Sequence, residues 1–269
     1  MTSSIGVFDS GVGGLTVLRA IRELMPALPV IYLADQANVP YGVRQLEEVR
    51  GFAIEITRYL INQGAKLIVV ACNTASVAAL KTLRLEFPEI PFVGMEPAVK
   101  PAAEQTHSGV VGVLATDVTF QGEVYASVVE RFAHGVELLQ SHCPGLVSQI
   151  EKGNLEGQET RAILENALHP MLEKGIDTVV LGCTHYPFVI PLIQQIVGPK
   201  VRVIDPAPAI ALQVRRLLGS HGWLVDSHSP AEVRFITTGN RETFKRDMPI
   251  FIGETFGVAA AHWQNGRLI

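Results

Sequence analysis

Two cysteines close two copies of one pattern. Leu67-Ile68-Val69-Val70-Ala71-Cys72-Asn73-Thr74 is an apolar run ending in Cys-Asn-Thr, and Thr178-Val179-Val180-Leu181-Gly182-Cys183-Thr184-His185 is another ending in Cys-Thr-His. They lie a little under half a chain length apart. A thiol just past a buried strand occupies the carboxyl edge of a sheet, the usual ligand position in open α/β folds. Two thiols on opposite sides of one carbon can remove a proton from one face and return it on the other, inverting a stereocentre. A single such cysteine reads equally well as a small buried hydrophobe. Core packing, however, does not require the same residue before both Asn-Thr and Thr-His. Each cysteine is expected at or near a helix N-terminus, where the helix dipole favours thiolate.

Further residues gather around this pair. Asp9-Ser10-Gly11-Val12-Gly13-Gly14 follows a strand and opens a helix. It lacks the Lys-Ser/Thr of a P-loop and does not fit G-x-G-x-x-G. It reads as a glycine turn, with Asp9 a candidate site carboxylate by its strand-end position. A carboxylate raises a neighbouring thiol pKa, so Asp9 suits accepting or relaying a proton better than stabilising a resting thiolate. His185, two residues past Cys183, can exchange a proton with that thiol or with a substrate ammonium. Pro40-Tyr41-Gly42 reads as a loop over the cleft, whose Tyr hydroxyl and Gly N–H could hold a distal carboxylate. Thr116 and Thr119 follow a strand and can cap a helix or bind an anion. Glu151 follows Gln149-Ile150 and reads as a surface charge. Cys143, in a Cys-Pro-Gly loop, reads as packing. Zinc on Cys72, Cys183, His185 and Cys143 is disfavoured, because Cys-x-His spacing matches no common structural zinc signature.

The elements that must position these groups alternate. Strands are predicted at 5–9, 30–33, 67–71, 91–94, 109–115, 136–139, 178–181, 201–204 and 233–236. Helices are predicted at 15–24, 46–60, 76–87 and 209–218. Alternation with β-branched cores argues for an α/β fold of mostly parallel, doubly wound sheets. Turn-rich junctions near Met95-Glu96-Pro97 and Asp205-Pro206-Ala207-Pro208 divide the chain. One domain is expected over 1–94 plus 208–269, carrying Asp9 and Cys72. A second is expected over 95–207, carrying Cys183 and His185. The two cysteines would then meet across an interdomain cleft.

Composition agrees. The chain has 269 residues, 48% hydrophobic and 18% charged, and its mean hydropathy of +0.26 fits strands covered on both faces. No apolar run reaches the roughly 18 residues that span a bilayer. The N-terminal Met1-Thr2-Ser3-Ser4 lacks the basic region of a secretory signal, so a cytoplasmic location is the expectation. Net charge is −4 with no long basic run, which argues against nucleic-acid binding and leaves an anionic substrate to local donors. Three cysteines do not make a disulfide framework and are expected as reduced thiols.

At these residues the sequence resembles the glutamate racemases, within the aspartate/glutamate racemase superfamily. The likeness covers nearly the whole chain. It is carried by Phe8-Asp9-Ser10-Gly11-Val12-Gly13-Gly14-Leu15, Pro40-Tyr41-Gly42, Cys72-Asn73-Thr74-Ala75-Ser76, Gly94-Met95-Glu96-Pro97-Ala98-Val99-Lys100-Pro101 and Leu181-Gly182-Cys183-Thr184-His185-Tyr186-Pro187. The resemblance implies two α/β domains with pseudo-twofold symmetry and no pyridoxal phosphate, flavin or metal. It implies interconversion of L- and D-glutamate for peptidoglycan, in a homodimer. By position it implies Cys72 as the base for the D-enantiomer and Cys183 for the L-enantiomer. Asp9 and His185 would assist, and Glu151 matches a further acidic site residue. Ser10, Tyr41, Gly42, Asn73, Thr74 and Thr184 match substrate-binding positions. Gly122 stands where the likeness leads one to expect serine. Competing readings are an aspartate or hydantoin racemase, a maleate isomerase, a Cys–His hydrolase or a non-catalytic amino-acid-binding module.

Overall fold

A computed structural model describes residues 4–224, 227 and 229–269. Residues 1–3, which carry most of the non-basic N-terminus, lie outside the described residues. In chain order the elements are β1 (Ser4–Asp9), α1 (Leu15–Leu24), β2 (Val30–Ala34), α2 (Leu46–Asn62), β3 (Ala65–Val70), α3 (Asn73–Glu86) and β4 (Phe92–Gly94). There follow α4 (Val99–Gln105), β5 (Val110–Ala115), α5 (Asp117–Gln121), α6 (Glu123–Phe132), β6 (Glu137–Ser141), α7 (Leu146–Glu151), α8 (Gln158–Glu173), β7 (Thr178–Gly182), α9 (Ile190–Val197) and β8 (Arg202–Ile204). The chain ends with α10 (Ala207–Ser220), β9 (Val233–Thr237), α11 (Arg241–Ile252), β10 (Val258–Ala260), β11 (Trp263–Gln264) and β12 (Arg267–Leu268). The chain divides into two compact units, one of residues 1–95 and 207–269, the other of residues 96–206.

In the first unit the described residues form a parallel sheet in the order β10-β9-β2-β1-β3-β4. Its central strands are buried on both faces, which explains their unbroken apolar runs. Phe8, Ile31, Leu33, Ile68 and Val70 pack with Val49 and Ile56 of α2 and Ala75 and Ala79 of α3. The alternating residues Ile5, Val7, Tyr32 and Val69 are equally buried and face the other way, where α1 packs against α10 and α11. A short antiparallel hairpin, β11–β12, closes the chain. Its Leu268 joins the α2–α3 side of the core.

The second unit repeats the winding. Its described residues form a parallel sheet in the order β6-β5-β7-β8. Val111, Val113 and Val180 pack with Val99 of α4 and Tyr125 and Val128 of α6, while α7, α8 and α9 pack together in sequence. In both sheets the first strand is flanked by the second on one side and the third on the other. The chain therefore reverses direction between β1 and β3, and again between β5 and β7. Such a reversal opens a crevice at the carboxyl ends of the strands. Among the described residues, no helix is long and apolar enough to cross a membrane.

The predicted strands at 5–9, 30–33, 178–181 and 233–236 each prove one residue longer, and the core elements fall where the apolar runs lie. The predicted helix at 76–87 starts three residues early, at Asn73, because Cys72 caps it. The sequence sets no bounds for α4 to α9 or for α11, which the structure supplies. Gly122 ends α5 and precedes α6, with an extended backbone at φ −74° and ψ 140°. It interrupts what would otherwise be one helix.

Candidate active site

The candidate residues of the first unit lie at the β1–β3 reversal. Asp9 ends β1 and is fully buried. Its Oδ2 accepts the Gly11 N–H at 3.0 Å, and the Gly11 carbonyl accepts the Tyr32 hydroxyl at 2.8 Å. Gly14 opens α1. A methyl there would stand 2.7 Å from Asp9 Cβ and 2.9 Å from the Tyr32 hydroxyl. The glycine turn thus exists so that α1 can begin against Asp9 itself. Cys72 sits two residues past β3 and is the N-cap of α3, its Sγ accepting the Ala75 N–H at 3.4 Å. The partial positive charge of the helix N-terminus therefore lies at this sulfur. Ser76 pins the first turn: its hydroxyl donates to the Val70 carbonyl at 3.1 Å and accepts the Met95 N–H at 2.8 Å.

Asn73 follows Cys72 and is 2% exposed. Among the described residues neither its amide oxygen nor its amide nitrogen has a hydrogen-bond partner. An unsatisfied buried amide costs about 1–3 kcal/mol, so its retention beside a strand-end thiol points to a ligand. Ser10 and Thr74 are buried alongside.

Tyr41 departs from expectation. Pro40-Tyr41-Gly42 leads into a short 3-10 turn over Tyr41–Val43 rather than an open loop, and Tyr41 is buried. Its hydroxyl donates to Asp35 Oδ2 at 2.6 Å instead of standing open to a substrate carboxylate. Burial, followed by the Asp35 charge and hydrogen bond, pushes its pKa well above the ordinary tyrosine value. Gly42 lies half-buried within the same turn.

The candidate residues of the second unit lie at the β5–β7 reversal. Ala115 pairs with Gly182 in register, so Thr116 and Cys183 follow side by side. A methyl at Gly182 would stand 2.8 Å from Ala115 Cβ, which is why a glycine precedes the cysteine. Thr116 caps α5 through the Thr119 N–H, and the two threonine hydroxyls lie 3.0 Å apart. Cys183 does not cap an α-helix. A turn and a 3-10 helix (Tyr186–Val189) follow it, and α9 begins only at Ile190. The expected helix-dipole support is therefore built at Cys72 and not at Cys183.

A different support takes its place. His185 Nδ1 lies 3.9 Å from Cys183 Sγ, and His185 Nε2 lies 2.6 Å from Glu151 Oε1. The side chains of His185 and Glu151 are 2% and 13% exposed. Glu151 is thus no surface charge. It is the last residue of α7, brought to the imidazole by packing of that helix against the Tyr186–Val189 turn. A carboxylate only accepts, so it selects the tautomer with the proton on Nε2 and leaves the Nδ1 lone pair facing the thiol. Thr184 is buried beside these groups. Cys143 is also buried, and burial pushes its thiol up to about 12, which suits packing rather than nucleophilic work. Burial, with Cys183 next in effect, holds the Tyr186 hydroxyl well above its ordinary value.

Each unit holds a strand-end thiol with a buried titratable group near it, on one winding. Residues 5–214 match the Asp/Glu/Hydantoin racemase family.

The chain belongs to that racemase family.

A glutamate racemase of Roseiflexus sp. (strain RS-1) is 51% identical over 242 residues, 89% of each chain. The crystal structure of a glutamate racemase isoform from Bacillus anthracis superposes with a TM-score of 0.88 at 33% identity, covering 98% of both chains. The glutamate racemase of Francisella tularensis, solved in complex with D-glutamate, superposes with a TM-score of 0.83 at 29% identity, again over 98% of both. The α/β fold with mostly parallel sheets is shared with these racemases.

Within this racemase-family chain the structure brings Asp9, Ser10, Cys72, Asn73 and Thr74 to one reversal and Thr116, Thr119, Cys183, Thr184, His185 and Glu151 to the other. Asp9 and His185 are not positional equivalents. Asp9 stands opposite Ala71 at the end of a first strand, where the second unit has Ala115 opposite Gly182. His185 stands two residues past its cysteine, where the first unit has Thr74. Sequence reading missed Asp35. It lies one residue past β2 and is fully buried, so the strand-end rule that selects Asp9 would have found it.

Proposed function

We propose that the protein interconverts L- and D-glutamate with no cofactor, by proton exchange between Cys72 and Cys183 acting on opposite faces of Cα. One cysteine enters as thiolate and takes the α-proton; the other enters as thiol and gives its proton to the carbanionic carbon from behind. The proton count is unchanged and the thiol and thiolate exchange places. Cys72 serves D-glutamate and Cys183 serves L-glutamate. The observation that carries this reading is the recurrence of a buried strand-end cysteine at the same topological reversal in both sheets.

The chemistry asks for help at two points. The α-proton is weakly acidic, so charge on the α-carboxylate must be met by oriented donors in a dry site. Asn73, Thr74 and Thr184 are those donors, and the unpartnered Asn73 amide supports the assignment. The thiols must also shed and regain protons. Asp9 serves Cys72, while His185, oriented by Glu151, serves Cys183. Ser10, Gly42, Thr116 and Thr119 bind the rest of glutamate, while Tyr41, its hydroxyl held by Asp35, contributes only its ring. We place the protein in the cytoplasm as a homodimer, supplying D-glutamate for peptidoglycan.

The test is circular dichroism of L- and of D-glutamate incubated with chelator-treated protein, repeated in D2O. Both optical signals should decay to zero and deuterium should enter Cα. Cys72→Ser and Cys183→Ser should each abolish inversion. The Cys72→Ser enzyme should retain α-proton exchange with L-glutamate only, and Cys183→Ser with D-glutamate only. Full turnover by either single variant, or a covalent adduct on one cysteine with the other dispensable, would refute the two-thiol scheme.

A further inference from the structure

Asp35 gathers hydrogen-bond donors from four separate segments of the first unit. Its carboxylate accepts the Tyr41 hydroxyl at 2.6 Å, the Thr238 hydroxyl at 2.7 Å, the Trp263 indole N–H at 2.7 Å and the Asn38 amide at 2.9 Å. A carboxylate has about four lone-pair positions, so this one is filled. The donors come from the turn after β2, the 3-10 turn at Tyr41, the loop after β9 and the C-terminal hairpin. A second link runs parallel to it through rings. Phe52 of α2 lies 5.7 Å from Tyr41 and 5.3 Å from Trp263, centroid to centroid. Arg44, just past the Tyr41 turn, lies over the same Phe52 ring at 5.5 Å and donates to the Asn38 carbonyl at 2.6 Å.

We infer that Asp35 and Trp263 are positioning residues for glutamate: a clamp by which the C-terminal hairpin fixes the Tyr41-Gly42 turn. This rests on the racemase reading above, and deepens it. Neither residue is asked to touch the reacting carbon. Tyr41 spends its proton on Asp35, so its ring and the Gly42 backbone are held in one orientation toward ligand. The apolar and polar links converge on the same two residues, Tyr41 and Trp263, from different chemistry. A clamp of this kind acts on substrate affinity and leaves the proton-transfer step alone, because no group it holds carries the transferred proton.

Trp263→Phe keeps the ring contact with Phe52 and removes the indole donor. We expect KM for both enantiomers to rise about three- to tenfold while kcat stays within about twofold, the range set by the net worth of one typical hydrogen bond. An unchanged KM, or kcat falling with KM, would overturn the clamp. The indole proton gives a readout independent of turnover and of any folding defect in that variant. The chain has two tryptophans, so Trp223→Phe leaves one indole N–H resonance, from Trp263. Adding glutamate should shift that resonance, and adding Tyr41→Phe to the same background should abolish the shift. A resonance that stays still while glutamate is bound and racemised overturns the clamp alone. A wild type that neither binds nor racemises glutamate overturns the racemase reading and the clamp with it.

Discussion

Glu151→Gln isolates what the carboxylate does for Cys183. The glutamine has nearly the same size and reaches the same point, 2.6 Å from His185 Nε2. It loses the charge and gains an amide that can donate. With the carboxylate, His185 is held as the Nε2–H tautomer, and Nδ1 can accept the Cys183 proton across 3.9 Å. With the amide turned to donate, the tautomer reverses and Nδ1 presents a proton to a thiol. Both side chains are largely out of solvent, so screening does little to soften the change. A charge-assisted hydrogen bond of this kind is worth about 2 kcal/mol more than none. At 1.36 kcal/mol per tenfold, that is a loss of about 30-fold in kcat/KM. Enantiomers have equal free energy in water, so the equilibrium constant is unity and kcat/KM must fall equally in both directions. The assay is polarimetric progress from pure L- and pure D-glutamate, with the unfolding midpoint measured alongside. Activity within about twofold of wild type would refute the tautomer argument. So would a loss matched by a collapse of stability, which would make Glu151 a structural residue only.

Two other expectations are independent of that one. Asn73→Ala removes a buried amide that has no partner among the described residues. Stability should hold or rise by up to about 1 kcal/mol while KM for glutamate rises about tenfold; a clear loss of stability in denaturant would show that the amide is used by the fold. Asp177 offers a pH test. Burial pushes its carboxyl up, but hydrogen bonds from Ser108 N–H, the Thr106 hydroxyl, His107 N–H and the Thr178 hydroxyl outweigh it and hold the value at about 2. A carboxyl whose folded value lies below its unfolded value of about 4 stabilises the fold above that pH, and the contribution is lost as pH falls toward 2. Asp177→Asn should therefore cost about 1 kcal/mol at pH 7 once solvent screening is allowed for. The gap from wild type in urea midpoints should narrow between pH 4 and pH 2, and a gap independent of pH would contradict the assignment.

Much of this molecule is written locally. The strands at β1, β3, β5 and β7 are legible because burial on both faces demands unbroken Val, Leu and Ile, and the residue after such a strand reaches the edge of the sheet whatever else the chain does. That is why Asp9, Cys72, Thr116 and Cys183 could be picked from the sequence. The helix at Asn73 could have been placed correctly by reading Cys72 as a cap, since that bond spans only three residues.

Other features needed the folded chain. Glu151 lies 34 residues from His185, and nothing around it distinguishes a site acid from a solvated one; only the docking of α7 decides. Tyr41 looks like a substrate ligand until Asp35 is found to hold its hydroxyl. Trp263 is 228 residues from the carboxylate it meets. The same holds for the unlike support of the two thiols, a helix N-terminus at Cys72 and an imidazole at Cys183. Sequence pattern reports what each residue must do about water, which its neighbours largely set. Hydrogen bonds between distant segments depend on direction and tenths of an ångström, and those exist only once the layers have packed.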